Sequence, residues 1–216
     1  MKKARTSLRM TRAPLTGVVL AGGRKRIDGQ HPALLVLQRE IMVNRQFRLM
    51  RPLCSELILV TDEPKLFLTV LDEDVRMITD FHAGIGPLGG LHAALSLSGN
   101  DRAWVAGCDM PYLSVEAAKL MLDRMIRHRL DAVVPSIGDR LHPFHGLYGR
   151  GQAGLIPELA AAGQTSMHAY LERVRCDKLM EWNFRRRGID PAFVLRLDSK
   201  KAYEEAVRSP IGHPTL

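Results

Sequence analysis

Three places in this 216-residue chain carry residue types that handle phosphate. The first is Leu20-Ala21-Gly22-Gly23-Arg24-Lys25-Arg26, where an apolar run from Leu15 breaks into two glycines and then three cations. Glycines let backbone approach a ligand closely, because they carry no Cβ. Successive N–H groups in such a turn form a concavity that accepts an anion. An ordinary strand-to-helix turn with a solvated basic loop fits the same pattern, so both readings stand. The second place is Asp109, just past the apolar run 103–108. A carboxylate there would suit Mg²⁺, which takes one or two carboxylates with substrate phosphates and water. By spacing alone, a turn aspartate capping the helix beyond Pro111 is the plainer reading. The third is Asp80, followed by Gly84-Ile85-Gly86-Pro87-Leu88-Gly89-Gly90. A helix from Leu88 would start on glycines and turn its N–H groups outward, a second anion site.

The elements that must position these residues alternate in type. Buried strands are predicted at 15–20, 56–61, 75–79, 103–108 and 131–136, from short apolar runs bounded by turn residues. Helical spacing covers 42–53, 63–71, 88–95 and 115–128, then 151–162, 166–173 and 200–208. Residues 142–148 read as a short strand or hairpin arm, 178–182 as an edge strand and 193–197 as a last strand. Such alternation predicts an α/β fold, with a mostly parallel central sheet and helices on both faces. Ligands of such sheets bind at the carboxyl ends of the strands. The Gly22-Gly23 loop, Asp80 and Asp109 all fall there.

Composition narrows the class. The chain is 46% hydrophobic and 25% charged, which suits one globular domain, taken as 15–208. Residues 1–14 hold Lys2, Lys3, Arg5, Arg9 and Arg12 without a following apolar segment, so they read as a loose basic tail and not a signal peptide. Residues 209–216 read as a second tail. No apolar run is long enough to span a bilayer. Cys54, Cys108 and Cys176 are far apart and suit a reducing cytoplasm. The net charge of +8 favours anionic partners. There is no helix-turn-helix cue, zinc-finger spacing or aromatic RNA-binding stripe, which leaves nucleic acid a minor option. His142 and His145 lack a nearby third ligand and read as surface or hydrogen-bonded histidines. Cys108 reads as a small buried residue.

Several of these segments resemble nucleotidyltransferases of the molybdenum cofactor guanylyltransferase family. Leu20-Ala21-Gly22-Gly23 matches that family's opening, Gly29 is in register, and Ala33-Leu34-Leu35 matches the apolar run after it. Gly86-Pro87-Leu88-Gly89-Gly90-Leu91 and Cys108-Asp109-Met110-Pro111-Tyr112-Leu113 match two further segments in the family's order and spacing. His142-Pro143 with Gly146-Leu147-Tyr148 also has a counterpart. The likeness runs from about Leu15 to about Leu171. Ile27-Asp28 stands where the family has Arg-Met, and His31-Pro32 where it has Asp-Lys. That lysine contacts nucleotide phosphates in the family; proline has neither charge nor donor. Arg196-Leu197-Asp198-Ser199-Lys200-Lys201 replaces the family's Asn-x-Asn-Thr-Pro-Glu.

The resemblance implies a Rossmann-like nucleotidyltransferase fold of the GT-A type. It implies transfer of GMP from GTP to the molybdopterin cofactor, with Mg²⁺ held by Asp109 and pyrophosphate released. Leu20, Ala21, Gly22, Gly23 and Arg24 would line the nucleotide pocket, with Asp80 assisting. Lys25 is the nearest replacement for the absent lysine. Molybdenum cofactor chaperones or recipient enzymes would be partners. The basic clusters Arg124-Arg127-Arg129 and Arg185-Arg186-Arg187 read as solvated faces, with pterin phosphate binding as the other option. Two alternatives stay open: a non-catalytic member that binds nucleotide, cofactor or a partner, and a nucleotidyltransferase that uses CTP.

Overall fold

A computed structural model describes residues 13–80 and 84–208. The expected basic tail lies outside the described residues except for its last two, which open the first strand, and the tail 209–216 lies outside them as well. Strand β1 (Ala13–Leu20) sits in the middle of an eight-stranded sheet. From Leu15 to Leu20 its side chains are buried on both faces, as a strand covered on both faces requires. Two hairpin strands, β2 (Val36–Leu37) and β3 (Glu40–Ile41), pair apart from the sheet. β1 is parallel to β4 (Cys54–Val60) on one side and to β6 (Arg102–Gly107) on the other. β5 (Val75–Ile78) extends the β4 side in parallel. Beyond β6 come β9 (His145–Gly149), which is antiparallel to both neighbours, then β7 (Ala132–Ile137) and β10 (Cys176–Met180). β8 (Arg140–Leu141) folds back on β7.

Helices cover both faces. Alternation along β1 sends Leu15 and Val19 to one face and Val18 and Leu20 to the other. The first face receives α1 (Met42–Met50), α3 (Val115–His128) and α6 (Glu181–Arg185) through Phe47, Met121 and Phe184. The second receives α2 (Pro87–Leu97), α4 (Leu155–Ala161) and α5 (Met167–Arg173) through Leu91, Ile156 and Tyr170. The last helix, α7 (Lys200–Arg208), buries Ala206 against a small cluster with Leu37, Tyr112 and Leu197. Gly17 in β1 lets β4 and α1 pack closely: a Cβ there would lie 3.0 Å from both Leu57 Cδ2 and Met50 Sδ, so those side chains would have to shift. Among the described residues no helix is long and apolar enough to cross a membrane.

Several expected elements differ. Residues 63–71 form one 3₁₀ turn, Pro64–Leu66, followed by further turns, and not a helix. Thr69 and Val70 are β-branched and favour helix weakly. The Val70 carbonyl instead accepts the Asn44 side-chain N–H at 3.0 Å. Residues 193–197 are not a strand. Asp190 caps a 3₁₀ turn, Pro191–Val194, accepting the Ala192 N–H at 2.8 Å. The apolar alternation there arises because the turn buries Phe193 between His145 and Phe184, with ring centroids 4.7 and 5.0 Å away. The edge strand begins two residues earlier than expected, and Trp182 lies in α6.

Candidate active site

Strand order reverses about β1, so a crevice opens beyond its carboxyl end between neighbours that leave in different directions. Register puts Leu20 opposite Val60 on one side and Gly107 on the other. Backbone hydrogen bonds carry this alignment past the strand ends. Ala21 N–H donates to Val60 O at 2.8 Å, and Cys108 N–H donates to Leu20 O at 3.1 Å. The glycine loop and the Asp109 turn are therefore fastened side by side.

Chain exposure changes within one residue in the loop. Ala21 is buried, while Gly22, Gly23, Arg24, Lys25 and Arg26 are exposed. Gly23 has φ +97°, a conformation strained for any side chain. Its N–H points at the Asp62 carboxylate, with oxygens at 3.2 and 3.3 Å. Arg26 pairs with Glu63. One backbone donor of the loop thus already faces a carboxylate of this chain. Asp28 and Gly29 have φ of +51° and +79° between reciprocal backbone bonds of Ile27 and Gln30. That is a two-residue hairpin turn of the mirror-image kind. Ile27 anchors it in the core, and Lys200 Nζ reaches Asp28 at 3.0 Å. The departure at Ile27-Asp28 is therefore a built turn tied to α7.

The departure at His31-Pro32 is structural too. His31 is buried, and its Nδ1 accepts the Ala33 N–H at 3.1 Å. Nε2 then carries the proton and donates to Ala21 O at 3.2 Å. The ring meets Phe67 edge-on at 5.4 Å. Burial, followed by the charge of Arg26, lowers the pKa of this imidazole, which favours that neutral clip. Pro32 starts a 3₁₀ turn, Pro32–Leu34, where a missing N–H removes no bond. The pair joins the end of β1 to the turn that follows.

Asp109 is buried, 4% exposed, at the carboxyl end of β6. Gln46, fully buried on α1, donates to Gly107 O at 2.7 Å and Met110 O at 2.9 Å and holds this turn. Gly107 N–H donates to Phe144 O at 3.0 Å. The carboxylate itself receives Arg196: Nη2 lies 2.7 Å from Oδ2, and Nε lies 3.0 and 3.1 Å from the two oxygens. A cation therefore stands on both carboxylate oxygens. Among the described residues no group of three or more His, Cys, Asp or Glu could hold a metal. A single strand-end carboxylate that already takes a cation fits Mg²⁺, which relies on substrate phosphates and water for its other ligands. Replacing Gln46 by Met removes donors from two buried carbonyls. We expect a loss of about 1–3 kcal/mol in stability, read from urea unfolding.

Asp80 lies at the end of β5 and leans over the first turn of α2, so closely that a Cβ at Gly89 would collide with its carboxylate. The α2 N-terminus, expected as a second anion site, thus meets a carboxylate of this chain. Helix starts favour such an anion. Cys108 is buried beside Asp109; burial, then the carboxylate, pushes its thiol up to about 12, so it stays a protonated, buried thiol at neutral pH. His145 Nε2 accepts the Ser114 N–H at 3.3 Å, and His142 Nε2 lies 3.4 Å from Ile137 O. Both are hydrogen-bonded, as expected.

Arg124 and Arg127 of one basic cluster and Arg186 and Arg187 of the other line a cavity of about 480 Å³ between α3 and α6. Arg124 pairs with Asp177, Arg127 with Asp123 and Arg185 with Glu181, which matches solvated faces. A larger cavity, about 850 Å³, lies beside the glycine loop between Arg26, Leu34, Pro64 and Leu66, and neither Asp109 nor Asp80 lines it. Three site residues escaped the sequence reading. Gln46 had a signal, a polar residue on the apolar stripe Val43, Phe47, Met50. Asp62 and Arg196 had none, because each meets its partner only through the strand order.

Residues 17–178 match the MobA-like NTP transferase domain family. A probable molybdenum cofactor guanylyltransferase of Pelotomaculum thermopropionicum is 34% identical over 170 residues, covering 79% of this chain and 80% of that protein. The molybdenum cofactor guanylyltransferase of Desulfosudis oleivorans is 27% identical over 89% of this chain and 94% of that protein. Among solved structures, molybdopterin-guanine dinucleotide biosynthesis protein A of Archaeoglobus fulgidus superposes with a TM-score of 0.77 at 22% identity, covering 89% of this chain and 96% of that one.

Proposed function

This chain belongs to the MobA-like NTP transferase family, and from that membership we propose that it is a molybdenum cofactor guanylyltransferase. It transfers GMP from GTP to the molybdopterin cofactor. The observation that carries this reading is the fastening of the Gly22-Gly23 loop beside Asp109 across the switch point of the sheet. A terminal phosphate oxygen of the pterin attacks the α-phosphorus of GTP. The bond from that phosphorus to the bridging oxygen of the β-phosphate breaks, and pyrophosphate leaves.

The protein's work is to hold two anions in line and offset the charge that develops. Leu20 and Ala21 supply a rigid floor, because their backbone is locked to β4 and β6. Gly22 and Gly23 allow phosphate against the backbone, with Gly23 N–H exchanging Asp62 for a phosphate oxygen. Arg24 and Lys25, both exposed on the loop, supply charge near the leaving group. Asp80, beside α2, assists on the nucleotide. Asp109 would hold Mg²⁺, which when bound neutralises charge on the triphosphate. Three cysteines without a disulfide suit a cytoplasmic setting, and recipient molybdoenzymes or chaperones would take the product.

Pyrophosphate release with molybdopterin present tests the reading. GTP with Mg²⁺ should support release and CTP should not. Release from CTP alone would move the chain to the cytidylyl alternative. Release from neither, by folded protein, would identify a non-catalytic member.

A further inference from the structure

Arg196 stands where two losses meet. Its chain segment replaces the family's asparagine-rich segment, and Pro32 has removed the lysine that would meet nucleotide phosphates. In the structure the Arg196 guanidinium covers both oxygens of Asp109. Its other side lies over the Phe144 ring, 5.3 Å from the centroid. The backbone holds it there: Leu197 N–H donates to Asp109 O at 2.7 Å. The side chain is still 43% exposed, against 5% for Asp109, so part of it is open to solvent. Residues 195–199 belong to no helix or strand, which lets this side chain change rotamer without disturbing an element.

From this geometry we propose that Arg196 has two successive partners in the catalytic cycle. In the empty enzyme it occupies the cation position at Asp109. When metal and nucleotide arrive together, it yields the carboxylate and binds the triphosphate, supplying the charge that Pro32 cannot. This inference rests on the guanylyltransferase reading and names a phosphate ligand within it. The physical case is charge balance. A buried carboxylate without a cation is costly. A bidentate guanidinium satisfies it until a better cation comes, and planar Arg suits phosphate as well as carboxylate. The pairing also opposes metal binding without nucleotide, because Asp109 is then free in only a fraction of molecules. Apparent affinity falls by that fraction.

The test uses the full chain, Mn²⁺ alone as the first probe and GTP with Mg²⁺ as the second, read by Mn²⁺ electron paramagnetic resonance and by calorimetry. Arg196→Gln should bind Mn²⁺ about tenfold more tightly than the parent without nucleotide, if Arg196 covers Asp109 in about nine molecules of ten. The same variant should bind GTP with Mg²⁺ more weakly. Arg196→Lys, which keeps the charge and loses the fork, should recover part of the GTP affinity. Adding Asp109→Asn should abolish Mn²⁺ binding in either background. Unchanged or weaker Mn²⁺ binding by Arg196→Gln, with Asp109→Asn still abolishing it, overturns the role of Arg196 and leaves the guanylyltransferase reading standing. Mn²⁺ binding that survives Asp109→Asn overturns the metal site itself. Arg196→Lys, with its cation retained, serves as the folding control if the glutamine variant melts early.

Discussion

Asp109→Asn lowers kcat/KM for guanylyl transfer by about 10²–10³ and removes the magnesium dependence of GTP binding. The substitution preserves size and keeps the backbone bonds that form the turn. Leu197 N–H still reaches residue 109 O, and Gln46 still holds Gly107 and Met110. What is lost is one negative charge at the carboxyl end of β6. An amide oxygen is a weak ligand for a hard cation that prefers carboxylate. The effect therefore belongs to chemistry and not to folding. Thermal melting should shift little, because the half-exposed partner Arg196 can turn to solvent. Turnover within a few-fold of the parent would show that the strand-end carboxylate holds no essential metal.

Mild acid destabilises this protein by about 2 kcal/mol at pH 5 and about 3 kcal/mol at pH 4 through His145 alone. The ring is fully buried between Trp104 and Phe193, with centroids 5.3 and 4.7 Å away. Its Nε2 accepts from Ser114, so the neutral form is the one the fold uses. Burial, with the nearby His142 adding to it, pushes the imidazole down to about 3. The folded pKa lies below the unfolded value near 6.5. As pH falls through 6.5 the unfolded chain takes a proton that the folded chain refuses. Stability present above that pH is lost progressively down to about 3. His31 and His142 are lowered as well and act in the same direction. Urea unfolding at pH 7.5, 6 and 5 reads the slope, and His145→Gln should flatten it. An equal slope in that variant would assign the acid sensitivity to other groups. Above pH 5 the carboxylates contribute little, so the histidine effect is separable.

Both results depend on features of different legibility. The strands at β1, β4 and β6 could be read from short apolar runs that break into turn residues, since a strand buried on both faces needs nothing but local apolar content. The helix over 115–128 followed from its spacing, and Ser114 caps it by accepting the Ala117 N–H at 3.1 Å. The loop glycines and Asp109 were legible because their signals lie within a few residues. The short helix expected at 63–71 and the strand at 193–197 were misread for a common reason. Local apolar spacing there reports burial of single residues such as Phe67 and Phe193, and burial is compatible with a 3₁₀ turn as well as with a longer element.

Local signals along the chain carry the α/β class, the placing of the Gly22-Gly23 loop, Asp80 and Asp109 at strand ends, and the likeness to the family. What those groups touch follows from the folded arrangement. Arg196 reaches Asp109 across 87 residues, and Asp62 reaches Gly23 across 39. His31 proves to be a buried clip between Ala21 and Ala33, beside the proline that stands at the lysine's place, and its neighbours in sequence do not reveal this. The physical reason is that propensity and periodicity act over a single element, whereas these contacts depend on the order β6-β1-β4. That order is set by how all the apolar faces are buried at once.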